Sequence, residues 1–219
     1  MDALTDARDL VAERFPDATW AILTGSVLGP DRTAGSDLDI VVLRGEEEPG
    51  YRESLFFRGW PVELFVHTPA RLAVFLEREL AQRKPSTHRM IARGVPLLGE
   101  PGDLQVRCAQ VLAAGPPPLS GAEGDRLRYG LTDLLDDHKH AVDAGERAVI
   151  AAAVWTESAR VALAFAGRWL STGKWLLREL RELDPDFAAR WLAARDEPAA
   201  FAAEVLARSG GPLFEGYRA

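Results

Sequence analysis

The chain has 219 residues, 47% of them apolar and 27% charged, enough to bury a real core in two modest domains or one elaborated one, which argues against a disordered chain. Its formal net charge of -7 offers no general attraction to a polyphosphate backbone and no local basic strip is apparent, so nucleic acid is not an expected partner and small ligands are. The single cysteine, Cys108, cannot close an internal disulfide, and the amino terminus lacks the pattern of a secretion signal. The Ala-rich stretch from Ala148 to Ala166 carries Glu157 and Arg160, so no uninterrupted apolar run approaches the roughly 20 residues a bilayer requires; a cytoplasmic protein with no membrane partner is expected.

In chain order, apolar spacing predicts a helix over Leu4–Phe15 and strands at Trp20–Thr24 and Leu38–Leu43. A hairpin partner at Tyr51–Arg58 precedes a strand at Pro61–His67, and a helix at Pro69–Gln82 closes the unit. Near residue 115 the run Gly-Pro-Pro-Pro-Leu-Ser-Gly suits neither helix nor strand and marks a linker. Beyond it strands vanish, and Leu127, Leu131, Leu134, Leu135, His138 and Val142 fall at helical spacing. Further helices are expected at Arg147–Leu170, Trp175–Leu183, Phe187–Ala194 and Ala199–Ser209, with breaks at Gly173, Pro185 and Pro198. The expected architecture is an α/β domain with a mixed sheet over residues 1–114, a linker over 115–122 and an all-α helical bundle over 123–219.

The chemistry is concentrated between residues 23 and 67. An apolar strand runs into Gly25 and Ser26, where glycine permits the torsions and close approach of a phosphate-cradling turn and serine can donate its hydroxyl. If a helix begins after Ser26, its free amides would add a favourable dipole for a triphosphate tail. Ser36 precedes Asp37, and Asp37 and Asp39 are separated by one residue at the start of a strand, so both leave the sheet on one face. Two carboxylates so close, backed by Ile40, Val41, Val42 and Leu43, call for a compensating cation, and Mg2+ suits them because it accepts its remaining ligands from water and phosphate. Glu63 stands inside the apolar run Val62, Leu64, Phe65, where an unpaired charge costs several kcal/mol (order of magnitude) to bury. If its strand neighbours that of Asp37, three carboxylates converge as two-metal phosphoryl transfer requires. Each feature also has an ordinary reading: a turn, a solvated Asp pair, an edge strand with one wet face.

Together these residues resemble the polymerase-beta-type nucleotidyltransferase superfamily, whose pattern is Gly-Ser, a short spacer, then Asp-x-Asp leading an apolar strand, with a third acidic residue on a later strand. The resemblance covers roughly residues 20–67 and implies that Gly25 and Ser26, with Ser36, bind nucleotide phosphates, and that Asp37, Asp39 and Glu63 are catalytic and hold metal. The two-domain layout is similar to aminoglycoside nucleotidyltransferases, and Ser171-Thr172-Gly173-Lys174 resembles a loop of the streptomycin and spectinomycin adenylyltransferases in which the lysine contacts the nucleotide. The spacer lacks the Ala-Arg-Gly of minimal antitoxin-type members, which disfavours that subfamily.

The implied reaction is in-line attack by the hydroxyl of a small-molecule acceptor on the alpha phosphorus of ATP or another NTP, with pyrophosphate leaving. Glu63 either completes a metal site or accepts the acceptor proton. Asp133, Asp136, Asp137 and His140 lie opposite the leucine stripe and face either solvent or a cleft, where they would suit a cationic acceptor such as an aminoglycoside. His67, His88 and His140 show no metal-ligand spacing, and zinc is not expected. A monomer or homodimer is expected. The rival from another class is a non-catalytic nucleotide-binding or antitoxin-like module acting through a protein partner; the intact acidic triad argues against it.

Overall fold

The computed structural model describes residues 2–30, 32–46 and 49–218, which divide into two compact units, 1–114 and 115–219. In the first, helix α1 (Ala3–Arg14) is followed by strands β1 (Trp20–Thr24), β2 (Leu38–Leu43), β3 (Tyr51–Phe57) and β4 (Trp60–His67), then helices α2 (Pro69–Ala81) and α3 (Ser86–Arg93), strand β5 (Val95–Leu98) and helix α4 (Asp103–Ala114). The sheet order is β3-β4-β2-β1-β5, with β2 and β4 parallel and the other pairs antiparallel. This is the mixed sheet expected.

Both faces of the sheet are covered, which is why β1 and β2 read as nearly continuous apolar runs. One face, with Leu38, Ile40, Val42, Val62, Leu64 and Val66, packs on Ala3, Ala7, Leu10 and Val11 of α1. The other, with Ile22, Val41 and Phe65, packs on Leu72 of α2, Ile91 of α3 and Cys108 of α4. Asp2 caps α1 by accepting from the Thr5 amide at 3.3 Å, and Thr68 with Pro69 opens α2. The β3–β4 turn places Arg58 and Gly59 at φ 47° and 83°, the two left-handed residues of a two-residue hairpin loop. That hairpin is tied to α1 by Asp6, buried, which accepts from Trp60 Nε1 at 3.0 Å and Arg58 Nη1 at 3.2 Å, and by Arg14, which grips Glu53 with two bonds of 3.0 Å.

Helix α2 does not close this unit: α3, β5 and α4 follow it. The eight-residue α3 and the four-residue β5, the latter carrying Pro96, are too short to show a period, and β5 exists because the edge of β1 offers it a partner. Nor does a helix proper begin after Ser26: residues Ser26–Leu28 make one 3-10 turn, too short for a dipole.

The second unit holds helices α5 (Gly121–His140), α6 (Ala144–Phe165), α7 (Lys174–Leu183), α8 (Pro185–Ala193) and α9 (Ala199–Arg208). Ser120 and Glu123 form a reciprocal capping box that starts α5, and Asp143 and Asp184 cap α6 and α8. Leu131 and His138 of the predicted stripe are buried and Leu127, Leu134 and Leu135 partly so, but Val142 lies beyond the helix end and is exposed. Among the described residues α6, of 22 residues, is long and apolar enough to cross a bilayer by length and composition, as the core helix of a folded domain also can be, and it carries Glu157 and Arg160 within it. Its Glu157 and Arg160 pair at 2.9 Å, while Val154, Val161 and Leu163 sit fully buried among Leu131, Leu180 and Leu206.

Candidate active site

Strand parity places the site. Asp39 alternates with Val41 and Glu63 with Phe65, so both acids belong to the sheet face that α2, α3 and α4 cover further along. The parallel register sets Asp39 directly beside Glu63, and Asp37 precedes β2 by one residue. The three carboxylates, all half-buried, each present an oxygen within 4.8 Å of the others, and among the described residues this is the group of acids arranged to hold a metal.

Like charges this close repel by a few kcal/mol per pair (order of magnitude) at the effective dielectric of a protein surface. Three hard oxygen donors, accessible enough for water and phosphate to complete the shell, fit magnesium. A bound metal is not the sole cation in reach, however. Arg52 on β3 donates from Nη2 to Glu63 Oε2 at 2.6 Å, so part of the burden that the sequence assigns to metal alone falls on a guanidinium. Sequence reasoning missed this residue, although the hairpin turn contains the signal. With Phe57 opposite Trp60, Ser54 falls opposite Glu63 and Arg52 one diagonal step away.

The β1–β2 connection completes the site. Gly25 adopts φ 89° and ψ −171°, and a Cβ there would stand 2.2 Å from Asp39 Oδ2. The close approach that glycine permits is thus first of all to the Asp39 carboxylate. Ser26 Oγ lies 3.0 Å from Ser36 Oγ, and Ser36, buried, accepts from the Thr33 amide at 2.9 Å. Either hydroxyl can donate across this pair; where Ser36 donates, the Ser26 proton is left for an anion. Beside them a hollow of about 440 Å³ is lined by Arg32, Thr33, Ala34, Ser36, Gly59, Trp60 and Pro61, within the ordinary size of ligand sites. The Arg32 guanidinium stands 5.3 Å above the Trp60 ring.

Lys174 is not part of this cluster in sequence or unit: it is exposed at the first turn of α7, after Gly173 at φ 56°. Asp133, Asp136, Asp137 and His140 are exposed on α5, where His140 Nδ1 lies 3.3 Å from Asp136.

No protein-family model matches the sequence, and no curated protein matches it. Among solved structures, the chain is similar to a nucleotidyltransferase-like protein from Exiguobacterium sibiricum 255-15, with a TM-score of 0.50 and 13% identity, over 95% of this chain and 74% of that one. At this identity the likeness speaks for the fold. An acidic triad on adjoining parallel strands, set in a mixed sheet and followed by helices, is accordingly a feature of a chain with a nucleotidyltransferase-like fold.

Proposed function

We propose that this protein is a magnesium-dependent nucleotidyltransferase that transfers a nucleoside monophosphate, from ATP or another NTP, to a hydroxyl of a small-molecule acceptor, with release of pyrophosphate. The observation that carries the reading is the register of β2 against β4, which sets Glu63 beside Asp39 and brings three carboxylate oxygens within 4.8 Å. Asp37 and Asp39 would hold magnesium with Glu63 adjoining. When bound, the ion would screen the phosphate oxygens and steady the charge that develops on them.

The chain's own groups do the rest. Ser26, positioned by Ser36, orients the phosphate tail, so that the alpha phosphorus is presented to the acceptor. Glu63 would either complete the metal site or accept the proton of the incoming hydroxyl. The hollow beside Ser36 and Pro61 offers room for a small ligand. Lys174 is proposed to contact the nucleotide, as the resemblance of its loop implies. Aminoglycosides are the first acceptor class to screen, because the two-domain layout resembles that of aminoglycoside nucleotidyltransferases. We propose a monomer or homodimer without nucleic acid or membrane partners.

Calorimetry with ATP and magnesium tests binding, and pyrophosphate release across an acceptor panel tests turnover. Metal-dependent ATP binding is expected, with turnover lost by at least about a hundredfold in Asp39→Asn, the scale of removing a charge-stabilising group. Full activity in that variant would refute the assignment, and a silent titration would favour a scaffold acting through a protein partner.

A further inference from the structure

On the sheet face that carries the acids, the hairpin side is open. Tyr51, Leu55 and Phe57 of β3 pack toward α1, so Arg52, Ser54 and Phe56 belong to the face of Glu63. Arg52 is engaged with Glu63 and lies over Phe65. Of the others, Ser54 stands opposite Glu63 and Phe56 opposite Pro61, a diagonal step of about 7–8 Å from the acid. Phe56 is 81% exposed, more than any other phenylalanine among the described residues, and Ser54 and Pro61 are exposed with it. Pro61 also lines the hollow beside Ser36. A lone exposed phenylalanine is ordinary on a protein surface; its place relative to the phosphate-facing turn is what gives this one meaning.

That turn lies on the other side of the acids. Thr24 stands opposite Asp39 in the β1–β2 ladder, Gly25 brings the backbone against the Asp39 carboxylate, and Ser26 follows. Across the sheet the sequence is therefore the Ser26 turn after β1, Asp39 on β2, Glu63 on β4, then Ser54 and Phe56 on β3. In phosphoryl transfer the attacking and leaving oxygens stand roughly in line through phosphorus. With the phosphate tail at Ser26, pyrophosphate departs toward β1 and the acceptor hydroxyl enters from β3. The acceptor oxygen bonds to the alpha phosphorus, the bridging P–O bond breaks with its electron pair leaving on pyrophosphate, and the hydroxyl proton passes to Glu63 or to water. The body of the acceptor then rests over Ser54, Phe56 and Pro61. Two apolar rings and one hydroxyl suit a flat apolar face, such as the C–H face of a sugar or an aryl ring.

We infer that Phe56 is a specificity-determining residue on which the acceptor's ring is seated. The inference rests on the transferase reading above and names the acceptor class for it: a hydroxyl-bearing ring with an apolar face, saccharide or aryl.

The test uses the full chain with Mg2+ and α,β-methylene-ATP. Kanamycin A probes the saccharide source and 4-hydroxybenzyl alcohol the aryl source, each titrated by saturation-transfer NMR, while calorimetry follows the nucleotide analogue. At least one probe should receive saturation at its ring protons from the wild type, and which one responds identifies the source. Its affinity should fall about tenfold in Phe56→Ala, the order of one lost ring contact, and return in Phe56→Tyr. With ATP as donor, the KM of that probe should rise about tenfold in Phe56→Ala while kcat stays within about threefold, the split expected of a ring that binds ground state and transition state alike. Affinity for the nucleotide analogue should be unchanged in both variants. Equal probe affinity in the wild type and Phe56→Ala, or no saturation of either probe by a wild type that binds the analogue, would overturn the inference and leave the transferase reading standing. A wild type that sediments as a dimer beside a monomeric Phe56→Ala would assign the ring to a contact between two copies and overturn it as well. No binding of the analogue with Mg2+ present would overturn both readings. Circular dichroism and the tyrosine rescue separate a lost contact from misfolding.

Discussion

At Gly25 the backbone lies at φ 89°, ψ −171°, a region that residues with a side chain scarcely enter, and the place of its absent Cβ is 2.2 Å from Asp39 Oδ2. Gly25→Ala must therefore both strain the turn and push the Asp39 carboxylate from its position. The expected outcome is a loss of about 1–3 kcal/mol in urea denaturation, the cost of such strain, together with weakened Mn2+ binding. Unchanged Mn2+ affinity in a folded Gly25→Ala protein would show that the Asp39 geometry does not depend on this contact. The glycine was legible in the sequence because its neighbours made the turn chemical; the reason for it was not, since the atom it accommodates lies fourteen residues further on. Arg52 is the converse: nothing about an arginine in an amphipathic strand distinguishes it until the hairpin register brings it to Glu63.

Where β4 meets α2, His67 is buried with its ring edge-on to Phe75 at 5.1 Å, and its Nδ1 has no hydrogen-bond partner. Burial, reinforced by the neighbouring Arg71 charge, pushes its pKa down from 6.5 to about 4. The folded chain thus keeps His67 neutral, while the unfolded chain takes up a proton as pH falls below 6.5. Its contribution is complete above that value, is lost progressively between pH 6.5 and about 4, and levels off below. The full shift corresponds to about 3 kcal/mol (order of magnitude), so the urea midpoint should fall between pH 7 and 4.5, and His67→Leu should flatten that component. An equal slope in His67→Leu would assign the pH dependence to other groups. The same element scale explains which elements were legible. β1 and β2 match the expected bounds and β4 differs by one residue, because each is an apolar run between turn residues. Strand β5 and helix α3 went unread because they are short; α4 went unread although it is as long as α1, and the placement of all three depends on a β1 edge and a sheet face that only the assembled unit offers.

At the scale of the molecule, the two units have separate cores: Leu10, Leu38, Leu64 and Ile91 are buried within residues 1–114, and Leu131, Leu163, Leu180 and Leu206 within 115–219. The whole acidic triad, with Gly25, Ser26, Ser36 and Arg52, belongs to the first. A fragment of residues 1–114 is therefore expected to fold and to hold Mn2+ within about threefold of the full chain, read by dispersed amide signals and by ion titration. A collapsed amide spectrum would mean that the helical unit is needed for the first to fold. By itself the sequence determined the succession from a mixed α/β unit to helices and the identity of the three acids, because those depend on local period and on residue chemistry. Only the tertiary structure decided that β4 lies parallel beside β2, so that Glu63 stands beside Asp39. Strand order and register come from how the whole sheet packs between α1 on one face and α2, α3 and α4 on the other, and no local window of residues contains that information.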